Sequence, residues 1–93
     1  MRFDLTDLRL FLHVVEAESI TQGAERAGMA LPSASARVRG MEETSGVILL
    51  DRTPRGVRPT PAGNALARHA RIVLGQMEQM RGDLQRNRCN DRT

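Results

Sequence analysis

Residues 19–42 read SITQGAERAGMALPSASARVRGME, and their reading decides the fold. Ser19 and Thr21 are residue types that cap helix N-termini, which starts a short helix near Thr21. Ala24 and Ala27 are small and let another helix approach closely. Gly28 can take the left-handed conformation that closes a helix. Met29, Ala30 and Leu31 then make a turn. Pro32 suits the first turn of the next helix, where its missing amide hydrogen costs little, and Gly46 ends that helix. The stretch is therefore a short helix, a tight turn and a second helix.

At about 100° per residue, Leu31, Ala34, Val38 and Met41 fall on one side of this second helix. Pro32, Ser33, Ala36, Arg39 and Gly40 fall on the other, with Ser35 and Arg37 at the two edges. Solvent faces of helices are normally filled by long charged residues. A face of Ser, Ala and Gly flanked by Arg is short enough to lie in a DNA major groove. A merely solvated face is the plain alternative.

Working outward toward the N-terminus, Asp4 is a good N-cap and Asp7, three residues on, places negative charge near the positive helix end. Leu5, Leu8, Phe11, Leu12 and Val15 follow at helical spacings, which predicts a helix over residues 5–17. Working toward the C-terminus, Val47-Ile-Leu-Leu is a short aliphatic run suited to a strand. Pro54, Arg55 and Gly56 mark a turn, and Val57-Arg58 can return as a second strand. This predicts a small hairpin carrying Arg52, Arg55 and Arg58. An Arg at a hairpin tip can enter a minor groove, where narrow A·T tracts carry the most negative potential. A solvated charged turn is the alternative.

Thr60 caps a last helix with Pro61 at its first position. Leu66, Ala70, Val73, Met77, Met80 and Leu84 then recur in a heptad-like seam. Gly75 and Gly82 weaken it by about 1 kcal/mol each relative to Ala. About 25 residues of helix extend about 37 Å. A body of about 60 residues cannot cover that length, so the seam calls for a partner, most simply the same helix of a second chain. Only the first turns can pack back on their own body. The expected division is residues 1–59 as the DNA-binding unit, 60–86 as the linker helix and 87–93 as a disordered tail.

The 93 residues make one small unit with little room for a large core. Phe3 and Phe11 are its only aromatics, which argues against an all-β domain or a base-stacking platform. All 14 basic residues are Arg, whose planar fork suits phosphate and guanine. The net charge of +3 is unevenly spread. Residues 1–30 carry three Arg against five acids, 31–60 five against three, and 61–93 six against three. The N-terminal third reads as scaffold and the rest as the polyanion-facing part.

Several classes are set aside. Cys89 stands alone in the polar tail, so no disulfide closes within the chain, which fits a reducing compartment. No apolar run reaches the length of a membrane span and no signal peptide precedes the fold. The expected location is the bacterial cytoplasm, at the nucleoid. His13 and His69 have no second His, Cys or paired carboxylate at metal or catalytic spacing. No enzyme, metal, cofactor or membrane partner is expected. Glu42-Glu43 reads as a helix-surface charge pair.

In order and residue type, these elements resemble the N-terminal DNA-binding domain and linker helix of LysR-type transcriptional regulators. The resemblance rests on Leu8, Phe11, Val14, Val15, Glu16, Ser19, Ile20 and Thr21. It continues through Ala24, Ala27, Pro32, Ser35, Val38, Met41, Glu42, Gly46, Leu49, Arg52, Thr53, Arg55, Gly56, Thr60 and Gly63. It implies a mainly α fold, a winged helix-turn-helix of three helices plus a two-stranded β wing, followed by a long dimerisation helix. It implies homodimers joined by antiparallel linker helices on double-stranded DNA, with the third helix in the major groove and the wing at the minor groove.

By position, the resemblance implies base reading by Leu31, Pro32, Ser35 and Ala36, and a minor-groove role for Arg55. Ser19, Thr21 and Arg52 match positions near the phosphates. Ser33, Arg37, Arg39 and Arg58 complete the expected DNA-binding set. Two departures reduce hydrogen-bonded readout: Leu31 stands where the family usually has a polar residue, often Gln, and Ala36 where it often has Arg. Pro32 or Ala36 can instead touch thymine methyls. Family members normally continue into an effector-binding domain, which nothing here can form, so no small-molecule effector site is expected. The chain is either an excised domain or a naturally short protein. The expected function is sequence-specific DNA binding in transcription regulation. The alternatives are a molybdate-type regulator's similar winged domain, against which the wing residues Arg52 to Thr60 speak, and an interaction or decoy module that heterodimerises with a full-length regulator through its linker helix.

Overall fold

The computed structural model describes residues 3–90, with side chains through Arg88. Its elements run α1 (Leu5–Ala17), α2 (Ile20–Arg26), α3 (Leu31–Ser45), β1 (Leu50–Thr53), β2 (Gly56–Pro59) and α4 (Pro61–Asn90). This is the expected mainly helical, winged architecture.

Helix α1 starts on a reciprocal cap. The Asp7 amide donates to the Asp4 carboxylate at 2.8 Å, and the Asp4 amide donates back to Asp7 at 3.2 Å. Two of the otherwise orphaned amides at the helix start are thereby satisfied. The helix buries Leu10, Phe11 and Val14 completely. It ends at Glu18, which takes a left-handed conformation, φ 55°. Ser19 caps α2, its Oγ accepting the Gln22 amide at 3.1 Å. At the α1–α2 crossing a Cβ on Gly23 would lie 2.6 Å from the Val14 Cα, so only glycine permits this approach.

Helix α3 lays Ala34, Val38 and Met41 into the core formed by Leu10, Phe11, Val14, Ala24, Leu49, Leu50 and Val57. Full burial of such side chains stabilises by about 1.5–3 kcal/mol each. Gly46 closes the helix in a left-handed conformation, φ 74°. The wing strands pair antiparallel with Leu50 opposite Pro59, Arg52 opposite Val57 and Thr53 opposite Gly56. The first strand thus begins at Leu50, later than the Val47 run suggests. Val47 and Ile48 belong to the connection and are exposed.

Thr60 caps α4 as expected: its Oγ1 accepts the Gly63 amide at 3.0 Å and donates to the Ile48 carbonyl at 2.6 Å. Gly63 sits so close to the Leu49 carbonyl that any Cβ there would overlap it. Ala67 and Ala70 close the core from this side. The 30 residues of α4 extend about 45 Å, and the molecule measures 59 × 24 × 19 Å. The tail expected from residue 87 is helical through Asn90, because no breaker interrupts 87–90 and the helix simply propagates. The rest of that tail, residues 91–93, and the Cys89 side chain lie outside the described residues.

Candidate nucleic-acid interface

The core holds α3 by one side only. Pro32, Ser33, Ala36, Arg39, Gly40 and Glu43 are all exposed on the other, and Ser35 is half-buried at its edge. No segment of the described chain covers this face. Its chemistry follows from position: small side chains and hydroxyls near the helix start, one Arg in the third turn, and a carboxylate farther along.

Two expected members of this face stand differently. Leu31 was grouped by spacing with the core side, yet it is 43% exposed. It is the first residue of α3, so the helix has not yet met the core at that point. Arg37 is turned away from the outward face. Its Nη1 donates to Asp7 at 2.8 Å and reaches both oxygens of Asp4 at 3.4 Å. In the free chain the guanidinium ties α3 to the cap of α1. The Asp7 and Asp4 carboxylates raise its already high pKa. The Asp7 amide, and then Arg37, hold the Asp4 carboxyl below its ordinary value.

The wing presents Arg52, Arg55 and Arg58, all exposed. Arg55 sits in the two-residue turn between the strands, its amide donating to Thr53 Oγ1 at 3.2 Å. The hairpin is anchored to the body through Gly56, φ 147°, where a Cβ would overlap the Glu18 carbonyl oxygen. The same carbonyl accepts the Val57 amide at 3.1 Å. A groove therefore runs between the α1–α2 turn, with Ser19 and Gln22, and the wing, with Arg55 and Arg58. Ser19 uses its oxygen as the α2 cap acceptor, and that bond does not engage its hydroxyl hydrogen. Thr21 is exposed one residue beyond the start of α2.

Glu42 is not a surface charge. Its Oε2 accepts the amides of Leu49 at 2.8 Å and Leu50 at 3.3 Å. This carboxylate fixes where the wing leaves α3. Its partners are seven and eight residues away, where the connection enters β1, so no helical spacing could reveal it.

The α4 seam divides. Ala70 is fully buried and Leu66 packs partly on the core of its own chain. Both were expected to serve dimerisation. Ala70 is used up within the protomer, and Leu66 largely so, because α4 must cross the body before leaving it. Beyond them Val73, Met80 and Leu84 are exposed, with Met77 half-buried. Ile72, outside the heptad, joins this apolar face and is 61% exposed. Charged side chains flank the face and pair along the helix: Arg81 with Glu78 and Arg86 with Asp83. His13 lies half-buried on α1, and His69 is exposed on α4. Among the described residues no group of His, Cys, Asp or Glu is arranged to hold a metal, and no helix is long and apolar enough to cross a membrane.

A three-helix body with a helix-turn-helix, a two-stranded wing and a long terminal helix defines the class. The model of the bacterial regulatory helix-turn-helix proteins of the lysR family matches residues 5–64. The chain belongs to that family. It is 43% identical over 76 residues to the nitrogen assimilation regulatory protein nac of Klebsiella aerogenes, covering 82% of this chain and 25% of that protein. Its fold matches the BenM DNA-binding domain in its complex with catB site 1 DNA, with TM-score 0.85, 34% identity and coverage of 90% and 93% of the two chains. The CbnR DNA-binding domain in complex with DNA matches with TM-score 0.80 and 30% identity over 94% and 99%. The chain spans about a quarter of the length of these curated relatives.

Proposed function

We propose that this chain binds double-stranded DNA sequence-specifically, as the DNA-binding part of a LysR-type transcription regulator. It works as a homodimer. Helix α3 lies in the major groove through Pro32, Ser33, Ser35, Ala36 and Arg39, with Leu31 at its leading end. The wing places Arg55 at the adjacent minor groove, while Ser19, Thr21, Arg52 and Arg58 line the phosphates. The α4 helices pair through Val73, Met77, Met80 and Leu84 and set the spacing of two half-sites. Arginines neutralise phosphates and release counterions, so affinity falls steeply with salt. No step is catalytic, and the site of action is the bacterial cytoplasm.

The observation that carries this reading is the uncovered outward face of α3, in a family whose similar solved domains include complexes with DNA. Selection of bound duplexes from random DNA, followed by titration across a salt series, tests it. Ser35→Asp is expected to abolish binding to the selected site while the circular dichroism spectrum stays unchanged, because Asp near a helix start is tolerated. Retained binding by that variant places the interface elsewhere. Arg55→Ala is expected to weaken binding most where the flanks are A·T-rich. An equal loss on G·C-rich flanks refutes minor-groove insertion. The interaction-module alternative has no feature of its own among the described residues. Tight heterodimers with weak DNA affinity would revive it.

A further inference from the structure

Resting on the DNA-binding reading, we infer that α3 selects its half-site by the C5-methyl groups of thymine, with Leu31 as the principal specificity-determining residue. Adenine is read in the major groove by the paired donor and acceptor of Asn or Gln, and α3 carries neither between Leu31 and Ser45. Guanine is read by the fork of Arg. One of the two arginines of α3, Arg37, is held by Asp7 and Asp4 on the far side of the helix edge. Arg39 is left as the only guanidinium on the outward face.

What α3 does present at its leading end is apolar. Leu31 is 43% exposed without contributing to the core, and Pro32 and Ala36 are exposed within the same first two turns. Leaving a leucine half in water is unfavourable in the free protein, so contact with an apolar group on DNA is favourable by the same amount of removed surface. The bases offer one such group in the major groove, the thymine methyl. Ser33 and Ser35 bond donors or acceptors alike and so add little discrimination between bases. Specificity therefore falls on methyl contacts at the start of α3, supplemented by Arg39.

Deoxyuridine removes that methyl and changes nothing else on the base edge. The full chain is titrated with its selected duplex and with copies in which each thymine in turn is replaced by uracil. Uracil at one or two thymines of each half-site is expected to weaken binding about fourfold, the factor that corresponds to loss of one buried methyl-sized group. The penalty is expected to disappear in Leu31→Ala, whose fold is checked by circular dichroism. Equal affinity for every uracil copy overturns the inference while the selected site still supports DNA binding. A penalty that persists undiminished in Leu31→Ala overturns the assignment to Leu31. Selection that returns no preferred sequence removes the DNA-binding reading and this inference together.

Discussion

The body of the protein and the outer half of α4 are both helical and both carry regularly spaced apolar side chains, yet they are held by different things. In the body, Leu10, Phe11 and Val14 have no exposed surface, and the connections between elements are tied by specific bonds. Glu42 holds the wing, the Glu18 carbonyl holds Val57, and Thr60 holds both Ile48 and Gly63. In α4 beyond Ala70, the apolar side chains face outward, and Leu84 is 62% exposed. An isolated helix of this length, with two glycines in it, has only local hydrogen bonds and surface ion pairs to sustain it, and those contribute little. The same pattern of residues is thus a core where the chain returns on itself and an interface where it does not.

Substitutions in the two regions test this contrast, the largest effect first. Phe11→Ala is expected to cost about 3–5 kcal/mol of stability, as cavity-forming core substitutions do. Leu84→Ala should cost almost nothing in dilute solution. Urea unfolding at low protein concentration compares them, and similar losses at the two sites would mean that α4 is already covered. Next, Met77→Glu combined with Met80→Glu is expected to produce monomers by light scattering. Affinity for DNA carrying two half-sites should then drop by about 10²–10⁴, since the second contact is no longer tethered. A mass that stays dimeric would move the interface away from α4.

The smallest effect concerns the contact that joins α3 to α1. Arg37→Ala is expected to lower stability only slightly, because the guanidinium is 39% exposed and solvent screens its ion pairs. The Asp4 carboxyl sits below its ordinary value of 3.8. Its contribution is therefore fully present at neutral pH and fades as pH falls through that value toward the lowered one. Thermal melts between pH 3 and 7 should show this acid limb. It should be blunted in Arg37→Ala and more so in Asp4→Ala, because the Asp7 amide is the larger cause. An unchanged limb in Asp4→Ala would assign the acid sensitivity to other carboxylates.

Much of this was legible from the chain. The Asp4 cap, the spacing from Leu5 to Val15, Gly46 and the Thr60-Pro61 start each depend on neighbours within a few residues, and each stands where the spacing put it. The readings that needed revision involve partners farther away. Arg37 sits at a helix edge in sequence, but Asp7, 30 residues earlier, decides which way it turns. Glu42 resembled a surface charge until the wing amides came to it. The strand began at Leu50, and the seam lost Ala70 to its own core, because pairing and burial depend on what lies opposite.

The residue order by itself determined the elements and the side of α3 that would be small and unobstructed, because capping, helical period and turn chemistry act over three or four residues. Tertiary structure alone decided which arginine remained available, how far Leu31 stood in solvent and where along α4 the core ended. Those depend on distances between segments far apart in the chain, and no local pattern encodes them.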